Sequence, residues 1–338
     1  MSKTNPRQAL FGANSPHHVT HALPVCEHYA GTEAHMRKAL KMQAQMGPLF
    51  DVTLDLENGA PWGAEIEQAQ LIRELLDSAD NAHGRVGVRL LPVGHRHFAD
   101  AAGIVLRAQR RPAYLTCPKL VDLADVQRAA DALNGLGASA IPLHALIETH
   151  GALRDVAAIA SHPRIEALSF GLMGFVAAHH GAIPASAMTG AGQFDHPLVV
   201  RAKLEIAAAC HAAGKTATHS PYADIHDAVA VQAAADMASN LLGFTRMCSI
   251  HPAQIRSIVA AFAPSQADID TAISILQRAQ DADWGAITFE GRMQDRASYR
   301  AWWHVLERAD RIQLSGAAAF PELPALPAEV LAAWFSAT

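Results

Sequence analysis

The chain has 338 residues, half of them hydrophobic and 17% charged, which suffices for one large buried core or two ordinary ones. Its net charge of −5 and pI near 6.4 argue against a nucleic-acid-binding protein, which would present a basic face. Four separated cysteines without a CxxC pair favour a reducing, cytoplasmic setting. No stretch reaches the roughly 18 uninterrupted apolar residues of a membrane span, and the N-terminus lacks a signal peptide's apolar run.

Short apolar segments alternate along the chain with longer, amphipathic, alanine-rich ones. The predicted strands are residues 22–26, 50–56, 85–91, 113–120, 140–148, 166–173, 215–220 and 244–250. A predicted helix follows each strand, at residues 32–46, 63–79, 97–109, 122–134, 150–161, 195–213, 223–239 and 252–262. Eight such pairs predict a (β/α)8 TIM barrel, a closed parallel barrel inside a ring of helices. An open doubly wound sheet is the alternative, but the sequence lacks its GxGxxG phosphate loop.

The residues after 264 exceed what one barrel needs. The stretch "SQADIDTAISILQRAQDA" predicts a helix capped by Ser265, and a short strand or turn and another helix follow it. The last residues are apolar and interrupted by prolines, which favours packing on a surface. We therefore predict a barrel domain over residues 1–264 and a C-terminal helical extension, with lid and tail, over residues 265–338.

Polar residues at the ends of the predicted strands are the candidates for function, because the active sites of such barrels lie there. They are Asp55, Glu57, Arg89, Lys119, Glu148 and His219. Each also has a structural interpretation: Asp55 and Lys119 as a buried ion pair, Arg89 as a structural cation, Glu148 as a helix cap. The convergence of carboxylates and cations on one rim indicates catalysis more strongly than any single residue does.

Six motifs in order carry a resemblance to a known family. They are "DVTLDLENGAP", "VGVRLLP", "LTCPKLVDLADV", "LHALIETHGAL", "PRIEALSFGLMGF" and "CSIHPAQI". In sequence and spacing the chain resembles the citrate lyase β-subunit-like proteins of the HpcH/HpaI aldolase family, which includes malyl-CoA and citramalyl-CoA lyases. The resemblance covers about residues 20 to 300. It implies a trimeric or hexameric TIM barrel that cleaves or forms carbon–carbon bonds with Mg²⁺, often on acyl-CoA substrates.

The resemblance also implies roles for single residues. Glu148 matches a carboxylate that binds the metal, and Arg89 matches the arginine that binds substrate oxygens and stabilises an enolate. Glu57 matches an acid that holds Arg89 or a metal-bound water. Asp295 matches an aspartate of the C-terminal lid that reaches a neighbouring subunit's site, although an exposed helix cap is its alternative. We predict Asp55, Lys119 and His219 as substrate-binding residues.

One departure from the family pattern concerns the metal. The family's second metal carboxylate ends strand 6 in an "FGxxD" pattern, and this chain has Gly174 in its place. Mg²⁺ keeps several waters and needs only one or two carboxylates, so Glu148 and a chelating substrate remain a possible site.

Three functions therefore stand as hypotheses. The first is a metal-assisted carbon–carbon lyase acting on a hydroxyacyl-CoA or a small hydroxy or oxo acid. The second is a ligand-binding barrel that has lost its metal chemistry. The third is a thioesterase that hydrolyses malyl-type CoA esters.

Overall fold

The computed structural model describes residues 4–12, 23–225, 227–314 and 320–335. Its strands are β1 (Cys26–Ala30), β2 (Phe50–Asp55), β3 (Val86–Arg89), β4 (Leu115–Cys117), β5 (Leu143–Ile147), β6 (Ile165–Phe170), β7 (Thr216–His219), β8 (Arg246–Ser249), β9 (Ile287–Phe289) and β10 (Arg292–Gln294).

Fifteen α-helices lie within the described residues. They are α1 (Pro6–Phe11), α2 (Glu33–Met46), α3 (Glu65–Asp77), α4 (Phe98–Val105), α5 (Leu123–Gly135), α6 (His150–Arg154), α7 (Val156–Ser161), α8 (Leu172–Ala177), α9 (Gly192–Asp195), α10 (Pro197–Ala213), α11 (Ala228–Asp236), α12 (Pro252–Phe262), α13 (Gln266–Asp281), α14 (Arg296–Leu314) and α15 (Ala328–Val330). None of these described helices is long and apolar enough to cross a membrane.

Strands β1 to β8 form a closed barrel in chain order, with every neighbouring pair parallel and β8 paired with β1. The predicted TIM barrel is confirmed, and the open-sheet alternative is wrong because the sheet closes. The first strand lies four residues later than predicted, at Cys26–Ala30. Pro24 in the predicted segment has no N–H for the ladder, which explains the later start. Ala22, the first residue of that segment, lies outside the described residues.

Strand β2 shows how the barrel wall is built, because all six of its residues are buried. Asp51 pairs with Arg246 of β8 at 2.5 Å, and Thr53 Oγ1 lies 2.7 Å from the hydroxyl of Tyr114. Neither partner belongs to a strand that adjoins β2, so the polar set of β2 faces the barrel interior. The alternating apolar set, Phe50, Val52 and Leu54, therefore faces the helices.

The helices begin where the sequence supplies side-chain caps. Thr32, Asp122 and Ser265 each accept a hydrogen bond from a backbone N–H in the first turn of α2, α5 and α13. Proline is the first residue of α10 and of α12. At that position a backbone N–H has no partner within the helix, so proline's lack of one costs no hydrogen bond.

The chain divides into two compact units: the described residues between 20 and 262 form the barrel, and those before and after form the other unit. The predicted division placed the N-terminal segment with the barrel instead. Leu10 of α1 packs into the same apolar cluster as Trp303 of α14, and the Leu10 carbonyl accepts a hydrogen bond from Arg300 at 3.1 Å. In this second unit, β9 and β10 form an antiparallel hairpin.

Candidate active site

Asp55, the last residue of β2, is held in place from two sides. Its carboxylate accepts hydrogen bonds from the backbone N–H groups of Glu57 and Gly59, both at 2.8 Å. A Cβ at position 59 would lie 2.5 Å from Asp55 Oδ2, so glycine permits this close turn. The same carboxylate receives Arg89 Nε at 2.7 Å and Nη2 at 2.5 Å, a two-pronged pair between neighbouring strand ends. The ion pair of Asp55 thus forms with Arg89, whereas the structural alternative assigned it to Lys119.

Arg89 ends β3, and its side chain is 13% exposed. Besides Asp55, its guanidinium faces Glu57 at 3.5 Å and lies over the ring of Tyr29, 5.0 Å from the ring centre. Burial lowers the pKa of Arg89, but its hydrogen bond and charge interaction with Asp55 outweigh this effect, and the pKa is raised overall. The guanidinium is therefore a permanent, oriented cation at the rim.

Lys119 follows β4 and adopts a left-handed backbone conformation, with φ of 51°. Such a conformation is strained for a residue with a side chain and is frequent at functional sites. Its backbone N–H donates to Glu148 Oε1 at 2.8 Å, while its ammonium pairs with Glu57 and lies 3.4 Å from Asn58 Oδ1. The strained backbone thus lets one residue contact two carboxylates.

Glu148 follows β5 and is 5% exposed. Burial raises the pKa of Glu148, and the charge of Glu57 adds to that rise, while the Lys119 N–H, Arg89 and the Lys119 ammonium oppose it. Glu148 has a backbone donor on Oε1, but no ion pair joins its carboxylate to a cationic side chain within the described residues.

Gly174 lies in the short helix α8, directly against Glu148. A Cβ at position 174 would lie 2.0 Å from Glu148 Oε2, and one at Gly171 would lie 3.0 Å from the same oxygen. The glycine at the position of the missing aspartate therefore makes room for the carboxylate of Glu148. An aspartate there would have to displace that carboxylate first.

Oxygen donors on this rim are few. No group of three or more histidine, cysteine, aspartate or glutamate side chains spaced to hold a metal occurs within the described residues. Asp55 and Glu57 already contact Arg89 and Lys119, which leaves Glu148 as the carboxylate oriented for a cation. The donor set fits a cation held by one carboxylate, water and a ligand, and does not fit a complete protein cage.

His219 does not join this group. The ring is fully buried, donates from Nδ1 to the Ser220 carbonyl at 2.8 Å, and stacks on Phe194. Burial, with a contribution from Lys203, holds the pKa of His219 well below its usual value. Thr218, the preceding residue, is paired with Arg246, which faces the barrel interior, so His219 faces the surrounding helices.

Asp295 belongs to the other unit, where it caps α14. Its Oδ1 accepts from the backbone N–H of Ala297 at 2.9 Å, and the Ser298 hydroxyl bonds to the Asp295 carbonyl at 3.0 Å. These bonds are the helix cap that the sequence offered as the alternative for Asp295. The catalytic role of Asp295 stays a prediction.

The sequence interpretation missed Tyr29 at this site. The residue belongs to β1, and placing that strand at residues 22–26 left Tyr29 in a loop. Glu27 and Tyr29 are two residues apart in β1, so their side chains lie on the same face of the strand. This spacing was the signal that could have placed Tyr29 inside the barrel. Exposed apolar side chains also surround the rim: Trp62, Val121, Met173 and Ile250, which are 99%, 58%, 45% and 45% exposed.

A cluster of carboxylates and cations on the carboxyl rim of a TIM barrel is typical of an active site, so the fold and the site define a TIM-barrel enzyme. Comparison with solved structures identifies a citrate lyase of Burkholderia xenovorans that is 46% identical, with a TM-score of 0.84, covering 99% of this chain and 100% of that one. The chain belongs to the citrate lyase β-subunit-like proteins of the HpcH/HpaI aldolase family, and it is a carbon–carbon lyase by that membership.

More distant relatives carry related names. A (3S)-malyl-CoA thioesterase of Cereibacter sphaeroides is 25% identical, covering 79% of this chain and 88% of that protein. An L-malyl-CoA/β-methylmalyl-CoA lyase of Rhodobacter capsulatus is 25% identical, covering 77% and 87%. The protein CitE of Mycobacterium tuberculosis, solved with magnesium, acetoacetate and coenzyme A, has a TM-score of 0.70 at 22% identity, covers 86% of this chain and 99% of that one, and shows likeness of fold alone. No protein-family model matches the chain.

Proposed function

We propose that the protein cleaves or forms a carbon–carbon bond in a hydroxyacyl-CoA or a small hydroxy or oxo acid through an enolate, with the help of a divalent cation. The observation that carries the proposal is the contact chain Asp55–Arg89–Glu57–Lys119–Glu148 on the rim. Retro-aldol or retro-Claisen cleavage develops negative charge on a carbonyl oxygen, and fixed cations at that place stabilise it.

Arg89 is the group proposed to bind the substrate's carboxylate or carbonyl oxygen. Asp55 occupies Nε and one N–H of Nη2, and Glu57 lies 3.5 Å from Nη1, so the Nη N–H groups that these two carboxylates leave free are the proposed donors to a ligand. Asp55 and Glu57 hold the guanidinium in position, and Lys119 adds a second cation that is half exposed. These contacts orient the donors before the substrate arrives.

Magnesium is proposed as the cofactor on two grounds. One carboxylate of the rim is oriented for a cation, and CitE of M. tuberculosis was solved with magnesium. Glu148 is the residue that would hold it, with the substrate supplying further oxygens. When bound, such a cation supplies Lewis-acid stabilisation of developing negative charge. Burial raises the pKa of Glu148, so a proton and a cation compete for the same carboxylate.

A CoA-linked substrate is proposed on two grounds. The malyl-CoA lyase and thioesterase named above act on CoA esters. Exposed apolar side chains, Trp62 and Ile250 among them, lie around the rim. Exposed apolar surface is typical of a binding site, and contact with the arm of an acyl-CoA would remove it from water.

We further propose the trimeric or hexameric assembly that the resemblance implies, with Asp295 of one copy serving the site of another. Mixing Glu148→Gln subunits with Asp295→Asn subunits tests this, since hybrid assemblies contain some intact sites. Recovery of part of the activity on mixing supports the shared site, and no recovery after verified subunit exchange contradicts it.

Hydrolysis of the thioester is the second candidate function, favoured by the likeness to the (3S)-malyl-CoA thioesterase. The test is product analysis with malyl-CoA as the probe. The lyase produces acetyl-CoA and glyoxylate in equal amounts, whereas the thioesterase releases free CoA and malate. Free CoA without glyoxylate would overturn the proposed lyase function.

A further inference from the structure

Tyr29 contacts the face of the Arg89 guanidinium, whereas the carboxylates among the described residues that pair with Arg89 are those of Asp55 and Glu57. The guanidinium lies over the tyrosine ring, 5.0 Å from its centre, while Asp55 meets it along the Nε and Nη2 edge. Arginine is attracted to the face of an aromatic ring within about 6 Å. The ring therefore supports the guanidinium without using any of its N–H donors.

The geometry points to Tyr29 as a positioning residue, whose ring fixes the plane of the Arg89 guanidinium and so directs its remaining N–H groups at an anionic substrate oxygen. The inference rests on the proposed function, in which Arg89 binds that oxygen. It assigns to Tyr29 a contribution that adds to those of Asp55 and Glu57, because the carboxylates bind the edges of the guanidinium whereas the ring packs on its face.

Tyr29 is itself held by the barrel. It lies in β1, paired in register with Thr53 of β2, where Thr53 is buried and Tyr29 is half-buried. Thr53 donates to Glu27 at 2.7 Å, two residues before Tyr29 on the same strand. The Tyr29 ring thus projects from a pair of strands that are joined by a side-chain hydrogen bond. A residue in such a strand is held more rigidly than a residue on a loop.

The barrel contains a matched control at its other end. The buried Arg246 lies over the ring of Tyr114, 5.6 Å from the ring centre, among charges that take no part in the proposed site. Loss of either ring removes an arginine–aromatic contact from the interior. Loss of the Tyr29 ring alone is expected to change substrate binding.

The test compares Tyr29→Leu, Tyr29→Phe and Tyr114→Leu in the full chain, with malyl-CoA as the kinetic probe. Tyr29→Leu is expected to raise KM by about three- to thirtyfold, the range that one cation–π contact supplies, with a smaller change in kcat. Tyr29→Phe keeps the ring and is expected to recover most of that loss, and Tyr114→Leu is expected to lower stability without raising KM. Equal loss in Tyr29→Phe and Tyr29→Leu overturns the inference, because the hydroxyl would then carry the effect.

A second readout needs no activity. The Nε–H resonance of Arg89, assigned by its loss in Arg89→Lys, is expected to shift in Tyr29→Leu, because the ring current is gone, and to stay near its wild-type position in Tyr29→Phe. An unchanged resonance in Tyr29→Leu overturns the inference. If the wild type turns over no probe, the proposed function fails while this spectrum still decides the role of Tyr29.

Discussion

Two ends of the same pair of strands carry the same ion pair in different surroundings. At the base of the barrel, Arg85 holds Asp51 through two hydrogen bonds of 2.8 and 3.0 Å. Four residues further along both strands, Arg89 holds Asp55 in the same way at the rim. The pattern of charges near the two pairs is what separates a structural cluster from a catalytic one.

The charges at the base are balanced. Asp51 and Glu27 face Arg85 and Arg246, and both the carboxylates and Arg246 are wholly buried. Such a network is destabilising to break and has no charge left for a ligand.

The rim has a different balance. Asp55 and Glu57 face Arg89 and Lys119, and Glu148 is added as a carboxylate without a cationic partner among the described side chains. A buried carboxylate of this kind favours either a proton or a cation, as its raised pKa indicates. The comparison therefore assigns structure to the base and chemistry to the rim.

The two arginines provide the most demanding test of this difference. Arg89→Met is expected to lower kcat/KM by about 10²- to 10³-fold, because it removes the donors for the developing oxyanion. Arg85→Met is expected to keep kcat/KM within about threefold and to lower the free energy of unfolding by roughly 2–4 kcal/mol, since Asp51 loses a partner. Steady-state kinetics and denaturant unfolding of both variants check this, and equal losses of activity would remove the distinction between the two ends.

Lys203 sharpens the comparison, because it is a buried cation that bonds to no carboxylate among the described residues. Its ammonium donates to the carbonyl and side-chain oxygens of Gln193, and burial lowers its pKa to about 7. Between about pH 7 and 10.5 the unfolded chain holds a proton that the folded chain has lost, so stability rises with pH across this window and the full penalty applies below it. Lys203→Met is expected to flatten this rise in the free energy of unfolding, which amounts to roughly 5 kcal/mol over the whole window.

Chemical unfolding at pH 7 and pH 9.5 measures that slope. Lys38→Met, at an exposed lysine of α2, is the control for removing one positive charge. A slope that is the same in Lys203→Met and the wild type contradicts the assignment.

Glu148 and Glu166 make a second matched pair. Glu148→Gln keeps the shape of the side chain but loses the charge, and we expect activity to fall by about 10²-fold, with the dependence on Mg²⁺ lost. Glu166 pairs with His144 at 3.1 Å and is 35% exposed, so Glu166→Gln is expected to change activity by less than about threefold. Rates measured across a Mg²⁺ series decide between these outcomes, and a Glu148→Gln enzyme that still responds to Mg²⁺ contradicts the role of Glu148.

Gly174 offers a smaller perturbation of the same carboxylate. Its added Cβ would lie 2.0 Å from Oε2, 2.9 Å from Cδ and 3.1 Å from Cβ of Glu148, so that side chain must move and Gly174→Ala is expected to lower activity by about tenfold. The control is Gly103→Ala in α4, where a Cβ meets only Leu136 at 3.8 Å and helix propensity should add about 0.5–1 kcal/mol of stability. Activity unchanged in Gly174→Ala would mean that the position of Glu148 is not critical.

The barrel was predictable from the sequence because its signals are local. Alternation of strands and helices, caps such as Thr32 and Asp122, and the parallel order of eight strands all follow from short-range patterns. Strand ends also identified Asp55, Arg89 and Glu148, since parallel strands bring their ends to one rim.

The contacts between the site residues could not be predicted from the sequence, because they depend on the three-dimensional fold. The choice of Arg89 rather than Lys119 as the partner of Asp55 depends on the register of β2 and β3. The left-handed backbone of Lys119 and the closeness of Gly174 to Glu148 are three-dimensional facts that no spacing encodes. His219 was selected as a strand-end residue, but the alternation of β7 directs it to the outer face of the barrel.

The most direct test of the central claim is cation binding at Glu148, followed with Mn²⁺ as an EPR-visible substitute for Mg²⁺ and oxaloacetate as a chelating 2-oxo acid. We predict weak binding of Mn²⁺ by the protein alone, clearly tighter binding with oxaloacetate, and loss of that gain in Glu148→Gln. Equal binding by the wild type and Glu148→Gln in the presence of oxaloacetate would contradict the account, because the unpaired carboxylate of the rim would then play no part in holding the cation.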